Sequence, residues 1–233
     1  MNTLDVISSL AETLHDVCSF TFHEFPGQVL VQDRCAPWQE RDRKMFERAL
    51  ELKKTGVQFW DGIMLSTFGN ADYSEELLRQ ALHHNGHPET TVVPKETFEA
   101  WIEERGNCID RLAFCSKVFT VSGEERHLPM LDFNIPVSDI NEEVAVSVCR
   151  ILELGEGWLL DSGESYHFIG EKPLKYTELE QKLYKALMFT PIIDKAWIVH
   201  QLIERSCSLR IGHKRGKMPC VVRRICVIPS CKK

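Results

Sequence analysis

The stretch GWLLDSGESYHFIG (157–170) is apolar at both ends and broken at Ser162-Gly163. It reads as two short strands of a hairpin, so this part of the chain points to a sheet that is antiparallel or mixed. The flanking segments fall into place around it. HLPMLDFNIP carries Leu128, Met130, Leu131, Phe133 and Ile135 and ends at Pro136, as a strand does. NEEVAVSVCRIL spaces Val144, Val148, Ile151 and Leu152 as the inward face of a helix. Thr177 with Glu180 resembles a capping box for a helix bearing Leu183 and Leu187, and Trp197 to Glu204 reads as another helix. SLRIG and MPCVVRRICVI read as strands around the loop His213 to Lys217, a basic C-terminal hairpin. Strand, helix, hairpin, helix, helix, hairpin is the order of an α+β domain.

The first 120 residues read as mostly helical. Val6, Leu10, Leu14 and Val17 recur at helical spacing. Residues 18–33 look like a hairpin around Pro26-Gly27, and 38–54 return to helix, with Gly56 as a stop signal. Asp72 with Glu75 resembles a capping box, and a further helix starts at Pro94, buries Phe98, Trp101 and Ile102, and ends at Gly106. The change of pattern places a boundary near residue 120, between a 1–120 region and a 121–233 core, with one continuous domain as the alternative.

The net charge of −6 is unevenly spread. Arg205 to Lys233 holds nine Lys or Arg and no acid, which leaves 19 basic and 34 acidic residues, a net of −15, for the first 204. A basic segment on an acidic body is either a phosphate-binding surface or a solvated tail. Nine cysteines, an odd number without any CxxC, and a start carrying Asp5 and Glu12 with no basic stretch point to reduced thiols in a cytoplasmic protein. No apolar run reaches the length of a membrane helix. Cys207, His213, Cys220 and Cys226 fit no zinc-finger spacing, and His83, His84 and His87 are more simply complements to a helix C-terminus than a metal site. No Walker loop, Rossmann glycine fingerprint, HExxH or GxSxG is present; Gly155-x-Gly157 lacks its third glycine.

Three features bear on chemistry. Asp132, amid Leu131, Phe133 and Ile135, is costly to bury alone and is explained by a cleft that holds a cation, or by a turn that it caps. Gly163 permits a turn with free backbone amides, and Ser165 and His167 share one face of a strand, so Ser162 to His167 makes a phosphate cradle or an ordinary buried histidine. Asp194, followed by Arg205, Arg210, Lys214 and Lys217, is the type of sequence that binds a metal and the phosphates it bridges, or a helix N-terminal acid before an unrelated basic strand.

In this order, LDFNIP, DSGESYHFIG and IIDKAWIVHQ with ERSCSLRIGHKRGKMP resemble the motifs of the archaeo-eukaryotic primase superfamily, including the primase-polymerases, over roughly residues 125–225. The likeness is to the bacterial primase 1D-like group. The resemblance implies a catalytic core whose sheet is related to the RNA-recognition fold. It implies Asp132 and Asp194 as ligands to Mg²⁺ or Mn²⁺ and, with His167, as the catalytic residues. It further implies Ser162, Gly163, Ser165, His167, Arg205, Arg210, Lys214 and Lys217 around the phosphates, with His167 and the basic residues neutralising the leaving pyrophosphate. The implied partners are nucleoside triphosphates and a single-stranded template, in DNA replication, with a protein-binding surface on the N-terminal helices or the basic C-terminus. The family's second acid is replaced by Asn134, which leaves one metal, not two, or a degenerate protein that binds nucleotide without polymerising it; Asp161 and Glu164 are the substitutes at hand. An α+β protein whose basic end meets an acidic partner protein is the third reading.

Overall fold

The structure, a computed structural model, describes residues 1–25, 40–71, 73–82 and 88–226. The chain forms two compact units, one of residues 25–88 and one of 1–24 with 89–233. The readings on Pro26-Gly27, Asp72, His83, His84, His87, Cys35 and Cys231 lie outside the described residues.

In the smaller unit, α2 (Glu40–Lys54), α3 (Phe59–Leu65) and α4 (Glu75–Leu82) bury Met45, Ala49, Ile63 and Leu77. Gly62 lets α3 cross α2 closely, since a Cβ there would meet the Ala49 Cα at 2.9 Å.

The larger unit holds two antiparallel sheets. The first runs β2 (Glu89–Pro94), β1 (Val17–Glu24), β3 (Leu112–Thr120), β4 (Glu125–His127), with β8 (Ser208–Arg210) also paired to β3. The second runs β5 (Met130–Asp132), β7 (Tyr166–Gly170), β6 (Gly157–Asp161), β9 (Cys220–Ile225). Helices α1 (Thr3–Thr13), α5 (Phe98–Arg105), α6 (Asp139–Ile151), α7 (Tyr176–Ala186) and α8 (Lys195–Glu204) complete it. One apolar core joins these elements, from Val6 and Leu10 of α1 through Phe20, Phe22, Phe98 and Phe114 to Leu159, Phe168 and Ile198.

The α+β expectation and the β6–β7 hairpin hold. Several details differ. The first 120 residues supply β1, β2 and β3 besides their helices, and the β3 ladders to β4 and β8 tie the region before residue 120 to the region after it. Helix α1 ends at Thr13, so Val17 opens β1 rather than continuing a helical face. Lys175, not Thr177, is the N-cap of α7, its N–H received by Glu178 (2.9 Å). Helix α6 turns Ala145, Val146, Val148 and Cys149 inward and leaves Ile151 exposed. The basic C-terminal hairpin does not form: β8 pairs with β3 and β9 with β6, in different sheets, so the loop between them crosses from one sheet to the other.

Candidate functional site

Asp132 closes β5 and stands opposite His167 in the β5–β7 ladder. The pleat places Asp132, His167 and Leu160 on one face of the sheet. Asp161, Tyr166 and Phe168 take the other, where the Tyr166 hydroxyl donates to the Ser138 carbonyl and accepts from the Ser138 N–H, both at 2.8 Å. The chain beyond β5 is stitched to the segment before α8. Phe133 bridges Ile193, the Asn134 N–H donates to the Ile192 carbonyl (2.8 Å), and the Asp194 N–H donates to the Asp132 carbonyl (3.0 Å). Asp194 is also the N-cap of α8, its Oδ1 accepting from the Trp197 N–H (2.9 Å). Two remote aspartates are thereby fixed side by side through backbone bonds.

The electrostatics reflect that closeness. Burial, and then the Asp194 carboxylate, holds the Asp132 carboxyl well above the usual carboxylate range, against the pull of Lys214 and Arg210. His167 Nε2 lies 3.6 Å from Asp132 Oδ1, too long for a hydrogen bond. Burial, then the charges of Arg210 and Lys214, lowers the His167 pKa to about 3. The imidazole is therefore neutral and can donate or accept a hydrogen bond, and the positive charge beside it is that of Arg210 and Lys214.

The turn between β6 and β7 is closed on itself. The Ser162 N–H donates to the Ser165 carbonyl (2.9 Å), and the two serine hydroxyls lie 3.3 Å apart. Gly163, at φ +105°, gives its N–H to Asp161 Oδ1 (2.7 Å). The amides of Ser162 and Gly163 are thus spent within the turn, and the Ser162 hydroxyl also donates to the Ser165 carbonyl (3.1 Å).

Arg210 ends β8 nearly buried, and its guanidinium donates to the carbonyls of Ser162 (2.7 Å), Lys217 (3.4 Å) and Gly212. It clips the β6–β7 turn to the crossing loop. Within that loop Lys214 and Lys217 exchange backbone hydrogen bonds (2.9 and 3.1 Å) around Arg215 and Gly216, at φ +53° and +79°, a two-residue hairpin of the type that needs two positive φ angles. Lys217 Nζ meets Asp161 Oδ2 at 2.7 Å, Lys214 Nζ meets Glu164 Oε2 at 3.2 Å, and Arg215 meets Glu164 Oε1. His213 anchors the loop, its N–H and Nδ1 both on Asp110 Oδ1 (2.6 and 3.0 Å). Sequence reasoning misses Arg215, His213 and Asp110 as parts of this site; the Arg-Gly pair between two lysines is the available signal for the turn.

Of the sequence candidates, Asp132, His167, Asp194, Arg210 and Lys214 come together, and Ser162, Gly163, Ser165 and Lys217 line the adjoining turn. Arg205 does not join them. It caps the far end of α8, about 15 Å along the helix from Asp194, with its guanidinium over the Tyr176 ring (4.7 Å). Asp161 faces the other side of the sheet and holds Lys217, and Glu164 holds Lys214 and Arg215, so neither stands in for the acid missing at Asn134. Arg223 and Arg224 are paired with Glu142 and Glu143 and with Glu171. Cys207 precedes β8 and Cys220 opens β9, in separate sheets. Among the described residues no group of three or more His, Cys, Asp or Glu is arranged to hold a metal ion, and no helix is long and apolar enough to cross a membrane.

A family model described as archaeo-eukaryotic primase 1D-like matches residues 95–222, more than half of the chain and all of the cluster just described. No curated protein and no solved structure matches significantly.

Proposed function

The chain belongs to the archaeo-eukaryotic primase 1D-like family, and on that premise we propose that it is a metal-dependent nucleotidyltransferase that adds nucleotides on a single-stranded nucleic-acid template. The observation that carries this reading is the backbone stitch that sets Asp132 beside Asp194, with His167 and two cations around them. Two facing carboxylates, one of them driven above its usual range by burial and by the other, are a donor set suited to one hard divalent cation that completes its shell with substrate oxygens and water. Asp132 and Asp194 would hold Mg²⁺ or Mn²⁺, which supplies charge stabilisation at the α-phosphate under attack by a 3′-hydroxyl.

The chain's own residues do the rest. Neutral His167 donates a hydrogen bond to a phosphate oxygen. Arg210 contributes its charge from within, while its N–H groups keep the Ser162 turn and the crossing loop together. Lys214 and Arg215 offer their charges to the departing pyrophosphate, while Lys217 braces the turn through Asp161.

Primer synthesis on single-stranded DNA with Mn²⁺ tests the reading. The wild type extends, and Asp132→Ala and His167→Ala do not; absence of wild-type synthesis, or its survival in both variants, overturns it. Asn134 favours a second reading, a nucleotide-binding relative without turnover. Its amide donates to the Pro191 carbonyl (3.4 Å) and supplies no second carboxylate for a second metal. In that case nucleotide raises the melting temperature while no primer forms.

A further inference from the structure

Glu164 stands at the tip of the β6–β7 turn, about half exposed, with one carboxylate oxygen on Lys214 and the other on Arg215. Those two cations sit on the two-residue hairpin that Arg210 clips to the Ser162 carbonyl. Lys214 is close enough to Asp132 and His167 to act on both electrostatically. An anion with two oxygens, each on its own cation beside a candidate metal site, is the arrangement that a phosphate group makes with such cations. Asp161 differs: it is nearly buried and also holds the Gly163 N–H, so its bond to Lys217 belongs to the frame of the turn.

We propose that Glu164 is an internal stand-in for phosphate, which keeps Lys214 and Arg215 drawn to the β6–β7 turn until the polyphosphate of a nucleoside triphosphate displaces its carboxylate. The inference rests on the nucleotidyl-transfer reading and gives Glu164 a positioning role in it. Its consequence is selectivity by charge. A ligand with one phosphate exchanges one anion for another at little gain, whereas a triphosphate brings enough charge to displace Glu164 and hold both Lys214 and Arg215.

The test titrates the full chain, with Mn²⁺, against inorganic tripolyphosphate and against a nucleoside triphosphate, for wild type, Glu164→Gln and Glu164→Asp. At low salt E164Q binds both ligands about three- to tenfold tighter than wild type, the span that loss of exposed ion-pair competition allows. The gain fades near 1 M salt, where exposed charges are screened within about 3 Å. E164D, which keeps the carboxylate, stays near the wild type. Affinity of E164Q equal to or weaker than the wild type at low salt, or a gain that salt does not diminish, overturns the inference while leaving the nucleotide reading in place. If none of the three chains binds either ligand, both are overturned.

Discussion

Two buried histidines, each near an acid in an antiparallel sheet, have opposite surroundings. At the end of β4, His127 is closed on both sides. Its Nδ1 shares a hydrogen bond with Ser116 Oγ (3.2 Å) and its Nε2 with Glu125 (3.1 Å), while the Ser116 hydroxyl also accepts from the Cys207 N–H (2.9 Å). The ring packs edge-on against Tyr176. That network ties β3, β4 and the start of β8 together, and each polar atom in it answers another. His167 instead stands 3.6 Å from an acid that is itself crowded by a second acid. Burial alone does not separate structure from site, because both rings are almost wholly inside. Closure of the hydrogen bonds does: the first pair is complete, and the second leaves charge and bonding capacity for something else.

That contrast can be broken by substitution. Asp132→Asn should lower metal-dependent nucleotide addition by about 10³-fold, several kcal/mol of transition-state stabilisation. It should also raise the melting temperature by about 1–3 °C, since a like-charge neighbour is relieved; primer extension and thermal unfolding read the two. His127→Ala should cost about 2–4 kcal/mol in denaturant unfolding, because a cavity opens and Glu125 and Ser116 lose their partner, while activity per folded molecule persists. His167→Gln should reduce turnover about 10- to 100-fold with less than ~1 kcal/mol lost in stability, the reverse of the His127 outcome.

The smallest effect sharpens the comparison through pH. The folded-state pKa of His167, about 3, lies below its ordinary 6.5. The unfolded chain therefore takes up the proton first, and stability falls as pH falls through 6.5. Between pH 6.5 and 5.5 the wild type should lose about 1 kcal/mol more than His167→Gln in urea titrations. Equal losses would mean that the ring takes up its proton as readily in the folded chain as in the unfolded one.

Much of the local structure was legible in the sequence. Ser162-Gly163 breaking an otherwise apolar stretch pointed to a hairpin turn, and the spacing of Leu183, Trp197 and their neighbours marked helices. Strand β3 escaped because it is buried along most of its length on both faces and has no alternation to read. The false hairpin arose from nearness in sequence. SLRIG and PCVVRRI are neighbours along the chain, but nothing local in either encodes that one pairs with β3 and the other with β6. The site was legible only as a resemblance. Asp132 and Asp194 meet through backbone bonds at Phe133, Asn134 and Ile193, where side-chain identity says little, and Arg205, in the same basic run as Arg210, was carried off by the length of α8.

The passage of the chain from one sheet to the other between β8 and β9 bears on how the pocket is born. On a ribosome Asp132 and His167 emerge more than forty residues before Arg210, Asp194 only sixteen before it, and β9 must then seat itself against β6. On its other side β9 meets the segment that opens α1, made some two hundred residues earlier, with the Val221 N–H on the Met1 carbonyl (2.8 Å) and the Thr3 N–H on the Pro219 carbonyl (3.2 Å). Contacts between segments so far apart in a nascent chain are slow to close. The sheet beneath the pocket is thus completed only once β9 has emerged, and a chain interrupted before β8 carries the acids without the cations that face them.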